Sequence, residues 1–287
     1  MQQSEYQQQL HQLIQSALAE DIGSGDYSTL SIVDAHATGK AILKVKQPCI
    51  LAGVQVAKAI FTQLQPDCIF TAYKNDGDAV QYGDIAFEIQ ATIHTLLSGE
   101  RLALNCMQRM SGIASLTHTY VQALEGFSTK ILDTRKTTPN FRLLEKEAVR
   151  IGGGTNHRFA LYDMMMLKDN HIDFAGGIAQ AIDKAFGYKT AHNLPIAIEL
   201  ETRSLADVAL VLQYGAGKIQ RIMLDNFTPA LVKEAVVMID GQFETEASGG
   251  ITLHNLQQYA AAGVTFISVG ALIHQAQSVD LSLKAVI

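Results

Sequence analysis

The sequence predicts an α/β protein whose C-terminal part is built from parallel strands and helices. Six short apolar runs recur after Gly126, at spacings of roughly 20 to 30 residues. Helix-like stretches such as SLADVALVLQYGAG and TLHNLQQYAAAG separate several of them. The runs are almost continuously apolar, as parallel strands buried on both faces are. This succession is typical of a barrel or an open parallel sheet.

Polar residues follow the C-terminal end of every run. This favours a barrel, because α/β barrels place their active sites at that end of the strands. One further strand could be missing from the set. In order, the six runs are KILDTRK, DMMMLKDNH, IAIELET, RIMLDN, FETEASGG and FISVGAL. If the strands are parallel, all of their polar ends converge on one rim.

The N-terminal part has a different pattern. Apolar residues at positions 10, 13, 14, 17 and 18 predict an amphipathic helix that ends before the loop EDIGSGDYST. The segments GKAILKVKQPCILAG and DCIFTAYKNDGDAVQYGDIAFEIQATIHTLL alternate like strands, with turns at Asn75-Asp76-Gly77 and Gly83-Asp84. The next segment, SGERLALNCMQRMSGIASLTHTYVQALEG, predicts a helix that Ser98 could cap.

The composition excludes several classes of protein. With 287 residues, of which 48% are hydrophobic and 17% charged, the chain can build one large domain or two ordinary ones. A formal net charge of -6 argues against general nucleic-acid binding. The three cysteines form no C-x-x-C pair and predict neither a disulfide scaffold nor a zinc site. The sequence shows no signal peptide and no apolar run of about 18 residues, so we expect a cytoplasmic protein without membrane association.

One basic stretch contrasts with this net negative charge. Between positions 135 and 168 the chain carries seven of its 22 Lys and Arg residues. They are Arg135, Lys136, Arg142, Lys146, Arg150, Arg158 and Lys168. Such a stretch indicates either a solvated helix face or a pocket for a highly charged anion.

The stretch divides between these two interpretations. Arg142, Lys146 and Arg150 recur every fourth residue of one predicted helix, interleaved with glutamates, which favours a solvated, salt-bridged face. The other four lie at strand ends or after the flexible GGGTN segment, which suits close approach of a ligand. With His157 they favour an anion pocket. For His171, a hydrogen-bonded structural role is a better interpretation than a catalytic one.

Other strand ends carry carboxylates and glycines. Glu199, Glu201 and Asp225 suit ribose hydroxyls, a Mg²⁺ ion or a developing positive charge. The loops EASGGI and SVGAL can present backbone N–H groups to a phosphate, as the last two loops of a barrel commonly do. A plain tight turn explains the first loop about equally well, but the presence of two such loops favours the phosphate interpretation.

The motifs at these positions resemble those of the quinolinate phosphoribosyltransferase family. The resemblance covers nearly the whole chain and includes EDIGSGDYST, GDAVQYGD, SGERLALNCMQRMSGIAS, DTRKTTPNFRLLEKEAVRIGGGTNHR, LKDNHI, LDNF and EASGGIT. The long central motif is highly specific. Two small departures occur, since Asn140 stands where a glycine is expected and Glu147 where an aromatic residue is usual.

This resemblance implies a reaction and an architecture. Members of the family make nicotinate mononucleotide, pyrophosphate and CO₂ from quinolinate and phosphoribosyl pyrophosphate, with Mg²⁺. The implied fold is an N-terminal α/β sandwich over residues 1–114, followed by an incomplete α/β barrel over residues 115–272. The last segment, about residues 273–287, can pack back on the first domain. The implied assembly is a homodimer or a multiple of dimers.

The resemblance also assigns residues to ligands. Quinolinate and part of the second substrate are assigned to Arg101, Thr134, Arg135, Lys136, His157, Arg158 and Lys168. The ribose and the metal-bound pyrophosphate are assigned to Glu201 and Asp225. The loops for the 5′-phosphate are assigned to Ser248, Gly249, Gly250, Val269, Gly270 and Ala271. Mg²⁺ is expected to bind mainly through the pyrophosphate, with Asp225 as the candidate protein ligand, and Arg101 is expected to reach the neighbouring subunit's site.

The chemistry of these residues agrees with the assignment. Quinolinate carries two adjacent carboxylates and its cosubstrate carries a phosphate and a pyrophosphate, so binding both requires a dense cation cluster. Displacement at the anomeric carbon passes through an oxocarbenium-like state, which Glu201 is placed to stabilise. We therefore expect Glu201, Asp225, Lys136 and Lys168 to be the catalytic residues.

Three rival functions differ in what they require. A paralogue that uses nicotinate would need fewer cations, because nicotinate has one carboxylate. A non-catalytic nucleotide-binding module would not require Glu201 and Asp225 beside the cations. An aldolase with a lysine Schiff base would need a lysine among apolar neighbours, whereas Lys136 and Lys168 lie among charged residues.

Overall fold

The computed structural model describes residues 3–286 of the chain. Within these residues the chain forms two compact units. The first unit takes in residues up to His118, the segment Thr137–Gly153 and the residues from Leu272 onward. The second takes in Thr119–Lys136 and Gly154–Ala271. The segment that follows Lys136, which the sequence assigns to the barrel domain, thus lies in the first unit.

Helices and strands alternate along most of the chain, which confirms the predicted α/β class. The helices are α1 (Gln3–Ile22), α2 (Tyr27–Ile32), α3 (Val54–Leu64), α4 (Ile93–Gln122), α5 (Arg142–Ile151), α6 (Asp169–Ala175), α7 (Ile178–Ala191), α8 (Leu205–Tyr214), α9 (Pro229–Ile239), α10 (Leu256–Ala261) and α11 (Ala271–His274). The strands are β1 (Thr38–Val45), β2 (Cys49–Ile50), β3 (Ile69–Ala72), β4 (Ala79–Val80), β5 (Ile85–Thr92), β6 (Lys130–Leu132), β7 (Met164–Leu167), β8 (Ala197–Thr202), β9 (Arg221–Asp225), β10 (Glu244–Ser248), β11 (Phe266–Ser268) and β12 (Leu281–Val286). Within residues 3–286, none of the helices has both the length and the apolar character needed to cross a membrane.

The main sheet of the first unit is antiparallel, with the strand order β12-β1-β5-β3. Alternate residues of β1 are buried, namely Ala41, Leu43 and Val45, as expected for a strand with one face on a core. Leu43 pairs with Phe87 of β5 on one side and with Leu283 of β12 on the other. The last strand of the chain therefore completes the sheet that the first strand begins.

The sheet of the second unit is parallel and six-stranded, with the order β6-β11-β10-β9-β8-β7. Ile198 and Glu199 are neighbours on β8 and are both fully buried, so this strand is covered on both faces. Among the described residues no pairing joins β6 to β7. Apart from its pairing with β11, β6 makes one isolated bridge, between Leu132 and Thr155. The predicted incomplete barrel is therefore confirmed, and the carboxyl ends of its parallel strands share one rim.

The start of α4 differs from the sequence prediction. Ser98 lies inside this helix, which begins at Ile93. The hydroxyl of Thr92 accepts a hydrogen bond from the N–H of Thr95 at 3.2 Å, so Thr92 caps α4. The segment IHTLL, predicted as part of a strand, is therefore helical. Likewise α1 continues to Ile22, beyond its predicted end.

The backbone at Asn140 accounts for one departure from the family motif. Asn140 has a φ of 61°, in the left-handed region that glycine adopts most readily. Asparagine is among the few other residues that tolerate this conformation. The substitution thus preserves the turn. The other unusual residue, Glu147, forms an ion pair of 2.6 Å with Arg150.

Candidate active site

The ends of β7, β8 and β9 bring three charged residues to one rim. Lys168 follows β7, Glu201 lies near the end of β8 and Asp225 ends β9. Nζ of Lys168 lies 2.7 Å from Oε2 of Glu201, a residue that is almost completely buried. Burial and the charge of Glu201 raise the pKa of Asp225, although Lys168 opposes the shift. The two carboxylates and the single ammonium group therefore form an electrostatically coupled set.

Two arginines of the second unit form a cationic pair. Burial, followed by the nearby charge of Arg135, lowers the pKa of Arg158. Nη1 of Arg158 donates to the carbonyl oxygen of Met164 at 3.1 Å. Nε of Arg135 is buried and has no hydrogen-bond partner among residues 3–286. Such a pair suits an anion with adjacent carboxylates, because guanidinium groups bind carboxylates through two donors at once.

The turn after β6 presents Lys136. The hydroxyl of Thr134 accepts a hydrogen bond from the N–H of Lys136 at 3.0 Å. Thr134 therefore shapes the turn through its side chain. Lys136 itself is exposed, so its ammonium group is accessible to a ligand.

The loop after β10 is shaped by Asn226. The N–H of Asn226 donates to the carbonyl oxygen of Ser248 at 2.8 Å, and its Nδ2 donates to Oδ2 of Asp225 at 2.7 Å. A Cβ on Gly249, which has a φ of 98°, would collide with Oδ1 of Asn226. Packing therefore explains Gly249. Gly250, in contrast, has open space around the position of a Cβ.

One backbone amide of the loop after β11 is already bonded within the protein. The N–H of Val269 donates to the carbonyl oxygen of Leu132 at 3.0 Å, so this amide is not available to a phosphate. Val269 is also buried, whereas Gly270 and Ala271 are partly exposed. The phosphate interpretation of this loop therefore depends on Gly270 and Ala271.

The ring of His157 is buried in a cluster of charged side chains. Its Nε2 lies 3.0 Å from Oε2 of Glu199 and 3.3 Å from Oε2 of Glu246. Both glutamates are fully buried. Nη1 of Arg221 lies 3.1 Å from the same Oε2 of Glu246. These four residues are called the buried cluster below.

Burial and charge have opposite effects within the buried cluster. Burial disfavours the charged form of His157, but hydrogen bonds and charges from Glu199 and Glu246 raise its pKa to about 9. Burial and the charge of Glu246 raise the pKa of Glu199 to about 7. For Glu246, the effect of burial is outweighed by His157, Ser268 and Arg221, so its pKa is lowered. Glu199 is therefore the carboxylate of the pair that takes up a proton more readily.

Backbone contacts connect the buried cluster to Arg158. The N–H of His157 donates to Oδ1 of the buried Asp133 at 2.7 Å, and Nδ2 of Asn156 donates to Oδ2 of the same carboxylate at 2.8 Å. The N–H of Arg158 donates to Nδ1 of His157 at 2.6 Å. The orientation of the imidazole ring therefore determines whether Nδ1 can hold the backbone N–H of Arg158, the residue whose side chain extends from that backbone.

Sequence reasoning missed half of the buried cluster. It placed Glu199 at a strand end, and it gave no role to Glu246 or Arg221. The available signal was the recurrence of glutamates at alternate positions of two strands, Glu199 and Glu201 on β8 and Glu244 and Glu246 on β10. Charged residues are almost never fully buried unless they are paired, so such a pattern indicates a buried ion pair.

Both parts of the chain match models of one family. Residues 26–111 match the quinolinate phosphoribosyl transferase N-terminal domain, and residues 113–284 match its C-terminal domain. The chain belongs to the quinolinate phosphoribosyltransferase family. A family member from Nicotiana tabacum, quinolinate phosphoribosyltransferase [decarboxylating] 2a, mitochondrial, is 41% identical over 285 residues, which cover 95% of this chain and 81% of that protein.

Bacterial relatives are similar to about the same degree. The probable nicotinate-nucleotide pyrophosphorylase [carboxylating] of Bacillus subtilis is 41% identical over 275 residues, covering 96% of this chain and 93% of that one. The crystal structure of NadC from Streptococcus pyogenes has a TM-score of 0.87 at 39% identity and covers 96% of each chain. Human nicotinic acid phosphoribosyltransferase, at 12% identity and a TM-score of 0.57, shares the fold alone.

The three basic residues of α5 differ in their exposure, contrary to the expectation of one solvated face. Lys146 is buried, so the solvated-face interpretation is wrong for this residue. The reason is that α5 buries apolar residues on both sides of it and has only a narrow exposed face. Arg142 is partly buried, and its Nε donates to the hydroxyl of Thr137 at 3.0 Å. Arg150 is exposed and paired with Glu147, as that interpretation predicts.

Two further residues of the family motifs lie at the surface. Arg101 is exposed on α4, in the first unit. Among the described residues it has no hydrogen-bond or ion-pair partner. His171 is exposed, and its Nδ1 accepts a hydrogen bond from the N–H of Lys168 at 3.0 Å. The predicted hydrogen-bonded role of His171 is therefore confirmed.

Mg²⁺, which the family resemblance implies, fits the rim better than the buried cluster. Within residues 3–286, His157, Glu199 and Glu246 form the group whose ligand atoms lie close enough to hold a metal. Arg221 already supplies positive charge to these carboxylates. Mg²⁺ prefers oxygen ligands and usually binds one or two carboxylates together with substrate phosphates. The partly exposed carboxylate of Asp225 meets that requirement.

Proposed function

We infer that this chain transfers the phosphoribosyl group of phosphoribosyl pyrophosphate to quinolinate with loss of CO₂. The products are nicotinate mononucleotide, pyrophosphate and CO₂, and the reaction is a step of de novo NAD biosynthesis. One observation carries this function. In a member of the family, two arginines whose charges act on each other and a lysine–glutamate ion pair occur together in the barrel unit. The first suits a dicarboxylate, and the second suits a reacting sugar.

The arginine pair binds quinolinate in this proposal. Arg135 and Arg158 repel each other while both are charged, and a dianion between them removes that repulsion. Each guanidinium can bind a carboxylate through two donors. Lys136 adds an exposed ammonium group, and Thr134 shapes the turn that carries it. His157 supports the same site through its contact with the amide of Arg158.

The transfer step forms one bond and breaks another. The lone pair of the quinolinate ring nitrogen attacks the anomeric carbon, and pyrophosphate leaves with the electrons of its bond to that carbon. Positive charge develops on the ribose between these events, and Glu201 stabilises it. Lys168, 2.7 Å away, holds the Glu201 carboxylate in place. The two glycine-bearing loops bind the 5′-phosphate in this proposal, which is supported by the open space at Gly250 and the partial exposure of Gly270.

The decarboxylation step follows from the product of transfer. The ribosylated ring nitrogen is cationic, so it stabilises the electron pair that remains on the adjacent carbon when CO₂ leaves. A proton then takes the place of the lost carboxylate. This step needs neither a lysine Schiff base nor a protein nucleophile. The task of the protein is to hold the ring while the carbon–carbon bond breaks.

We propose that Mg²⁺ takes part mainly through the pyrophosphate, with Asp225 as its protein ligand. When bound, the ion neutralises negative charge on the leaving group. Burial and Glu201 both oppose a further negative charge at Asp225, so a cation beside it is favourable. Removal of divalent cations with a chelator should stop turnover, and excess Mg²⁺ should restore it. Turnover that persists in the chelator contradicts this role.

The activity is tested with quinolinate that carries a label in its 2-carboxyl group. Labelled CO₂ should be released only with phosphoribosyl pyrophosphate and Mg²⁺ present, in step with nicotinate mononucleotide. Nicotinate is the matched control substrate, because it lacks the 2-carboxylate. Equal turnover of nicotinate would favour the paralogous function, and no release of labelled CO₂ would rule out the proposed one.

We also propose a homodimer in which Arg101 contributes to the neighbouring active site. Its exposure and its lack of a partner among residues 3–286 favour a contact with another molecule. Arg101→Ala and Lys136→Ala should each be nearly inactive alone. Unfolding and mixing the two should give hybrid dimers with one intact site, and roughly a quarter of wild-type activity. If hybrids form and activity does not return, Arg101 does not act across the dimer.

A cytoplasmic location is part of the proposal. Cys49, Cys68 and Cys106 are free thiols, which suits a reducing compartment. The names of two plant relatives carry the words mitochondrial and chloroplastic. Fractionation of the source cells, followed by the labelled-quinolinate assay, distinguishes these locations. Activity confined to an organelle would contradict a cytoplasmic location.

A further inference from the structure

Arg221, at the start of β9, is held by charged and aromatic neighbours. Its Nε and Nη2 lie 3.1 and 3.0 Å from Oε2 of Glu244. Its Nη1 lies 3.1 Å from Oε2 of Glu246 and 4.0 Å from Oε2 of Glu199. The guanidinium carbon lies 4.2 Å from the centre of the Phe266 ring. These contacts leave the side chain little rotational freedom.

The carboxylate oxygens near Arg221 are the same atoms that contact His157. Oε2 of Glu199 and Oε2 of Glu246 lie 3.0 and 3.3 Å from Nε2 of the imidazole. Both glutamates are fully buried, and Oε1 of Glu199 has no hydrogen-bond partner within residues 3–286. Buried carboxylates are stable only when they are paired. Their positions therefore depend on Arg221 and His157 together.

One arrangement of the imidazole ring gives a suitable neighbour to each of its nitrogen atoms. Nδ1 accepts a hydrogen bond from the N–H of Arg158 at 2.6 Å, which requires an unprotonated Nδ1. This contact opposes the second proton that Glu199 and Glu246 favour through their effect on the pKa of His157. In this geometry the amide contact outweighs them, and the ring holds a single proton. Nε2 then carries the proton and lies at ion-pair distance from Oε2 of both glutamates. If the ring turned over, a C–H group would face the amide of Arg158. The carboxylates therefore select the ring orientation that holds this amide.

We propose that Arg221 is a positioning residue for quinolinate binding. It holds the carboxylate of Glu246 by a hydrogen bond and attracts that of Glu199 from 4.0 Å. The two carboxylates orient the ring of His157, and the ring holds the backbone of Arg158. Arg221 touches no substrate in this scheme. The proposal rests on the function proposed above, in which the Arg158 side chain binds quinolinate.

Three variants separate this role from a general effect on the fold. Arg221→Met removes the charge and keeps much of the volume. Arg221→Lys keeps the charge and loses the forked geometry. Glu244→Gln is the matched control, because Glu244 contacts Arg221 but is half exposed and does not belong to the buried cluster.

The kinetic readout is a comparison of the two Michaelis constants. We expect Arg221→Met to raise KM for quinolinate at least about tenfold and to leave KM for phosphoribosyl pyrophosphate within about twofold. Arg221→Lys should give an intermediate KM for quinolinate. Glu244→Gln should stay within about twofold of wild type for both substrates.

Nitrogen NMR of enzyme labelled at histidine provides a spectroscopic readout. In the wild type, the ring of His157 should be protonated at Nε2 and should accept a hydrogen bond at Nδ1. Arg221→Met should replace this signature with one from a mixture of ring states. Glu244→Gln should leave it unchanged. A loss of thermal stability without a change in the ring could not produce this pattern.

Two outcomes overturn the proposal. One is a folded Arg221→Met enzyme with a wild-type KM for quinolinate. The other is an equal rise in both Michaelis constants, which would indicate a purely structural role. If Arg221→Met does not fold, Glu246→Gln replaces it under the same expectations. The proposed binding of quinolinate by Arg158 is tested separately with Arg158→Lys. If that variant binds quinolinate as the wild type does, the underlying function fails, whatever Arg221→Met shows.

Discussion

Arg109 in the first unit has its donors bonded within the protein, whereas the rim cations of the second unit, Arg135, Lys136 and Lys168, keep unused donors. Nε and Nη2 of Arg109 donate to Oε1 of Glu145 at 3.1 and 2.9 Å. Nη1 and Nη2 also donate to the carbonyl oxygens of Ala276 and Ile273, each at 2.7 Å. Glu145 is fully buried and accepts two further hydrogen bonds, from the N–H and the hydroxyl of Thr138. This pair is satisfied entirely inside the first unit.

The rim cations of the second unit keep donors that the protein does not use. Nε of Arg135 has no hydrogen-bond partner in the described part of the chain. Lys168 contacts Glu201, but 45% of its side chain is exposed. Lys136 is exposed at the turn after β6. These groups can bind an anion without losing a contact that the fold needs.

The contrast gives a physical test for the role of a cation. A guanidinium whose donors all meet protein acceptors stabilises the fold, and its removal leaves a buried carboxylate without a partner. A cation with unused donors contributes little to stability and much to the binding of an anion. Substitutions in the first group should therefore change unfolding, and substitutions in the second should change kinetics.

The largest expected effect is on stability, in Arg109→Met. This substitution leaves the Glu145 carboxylate buried without its cation, and we expect the free energy of unfolding to fall by about 3–5 kcal/mol. Urea unfolding of the two proteins measures the difference. The fraction that remains folded should keep a KM for quinolinate within about twofold of wild type. A loss of less than about 1 kcal/mol would show that the pair is not structural.

The next effect is on catalysis, in Glu201→Gln. In the proposed mechanism this carboxylate stabilises charge that exists mainly in the transition state, so kcat should fall at least about a hundredfold, with little change in KM. Steady-state kinetics give both constants, and urea unfolding should show a stability close to that of wild type. A change confined to KM would make Glu201 a ligand of the ground state.

A smaller effect is expected for Arg158→Lys. The substitution keeps the charge and removes the second donor of a bidentate contact. We expect kcat/KM for quinolinate to fall at least about tenfold, equivalent to about 1.4 kcal/mol. Kinetics indistinguishable from wild type would remove Arg158 from the substrate site.

The smallest effect is expected for Arg150→Ala, the control from the same basic stretch. Arg150 is exposed and has a surface ion pair with Glu147. Both the free energy of unfolding and kcat/KM should stay within about 0.5 kcal/mol of wild type. A larger loss in either quantity would show that an exposed, surface-paired cation of this stretch still matters for stability or for catalysis. Arg142 is a poorer control, because its Nε donates to Thr137.

The helix boundaries show where local patterns stop being sufficient. The segment before Ser98 alternates well enough to predict a strand, yet the chain is helical from Ile93. The hydroxyl of Thr92 and the pairing of β5 with β1 and β3 decide this boundary. Pairing involves strands that are distant in sequence, so the local pattern contains only part of the information.

The sequence alone determined the α/β class, the six barrel strands and the charged residues at their ends. Strand runs and the polar residues that follow them are local properties, and parallel strands necessarily bring their carboxyl ends to one edge. Lys168, Glu201 and Asp225 could therefore be placed together before any contact was known. The motif DTRKTTPNFRLLEKEAVRIGGGTNHR was specific enough to indicate the family.

Only the tertiary structure decided which charges are used inside the protein. It buried Lys146, paired Glu145 with Arg109, and brought Glu246 and Arg221 to the ring of His157. Each of these outcomes depends on atoms that are many residues apart in the chain. Residue type and spacing show that a side chain can ionise or donate. Whether its donors are already satisfied, and so whether it supports the fold or binds a ligand, depends on the neighbours that folding supplies.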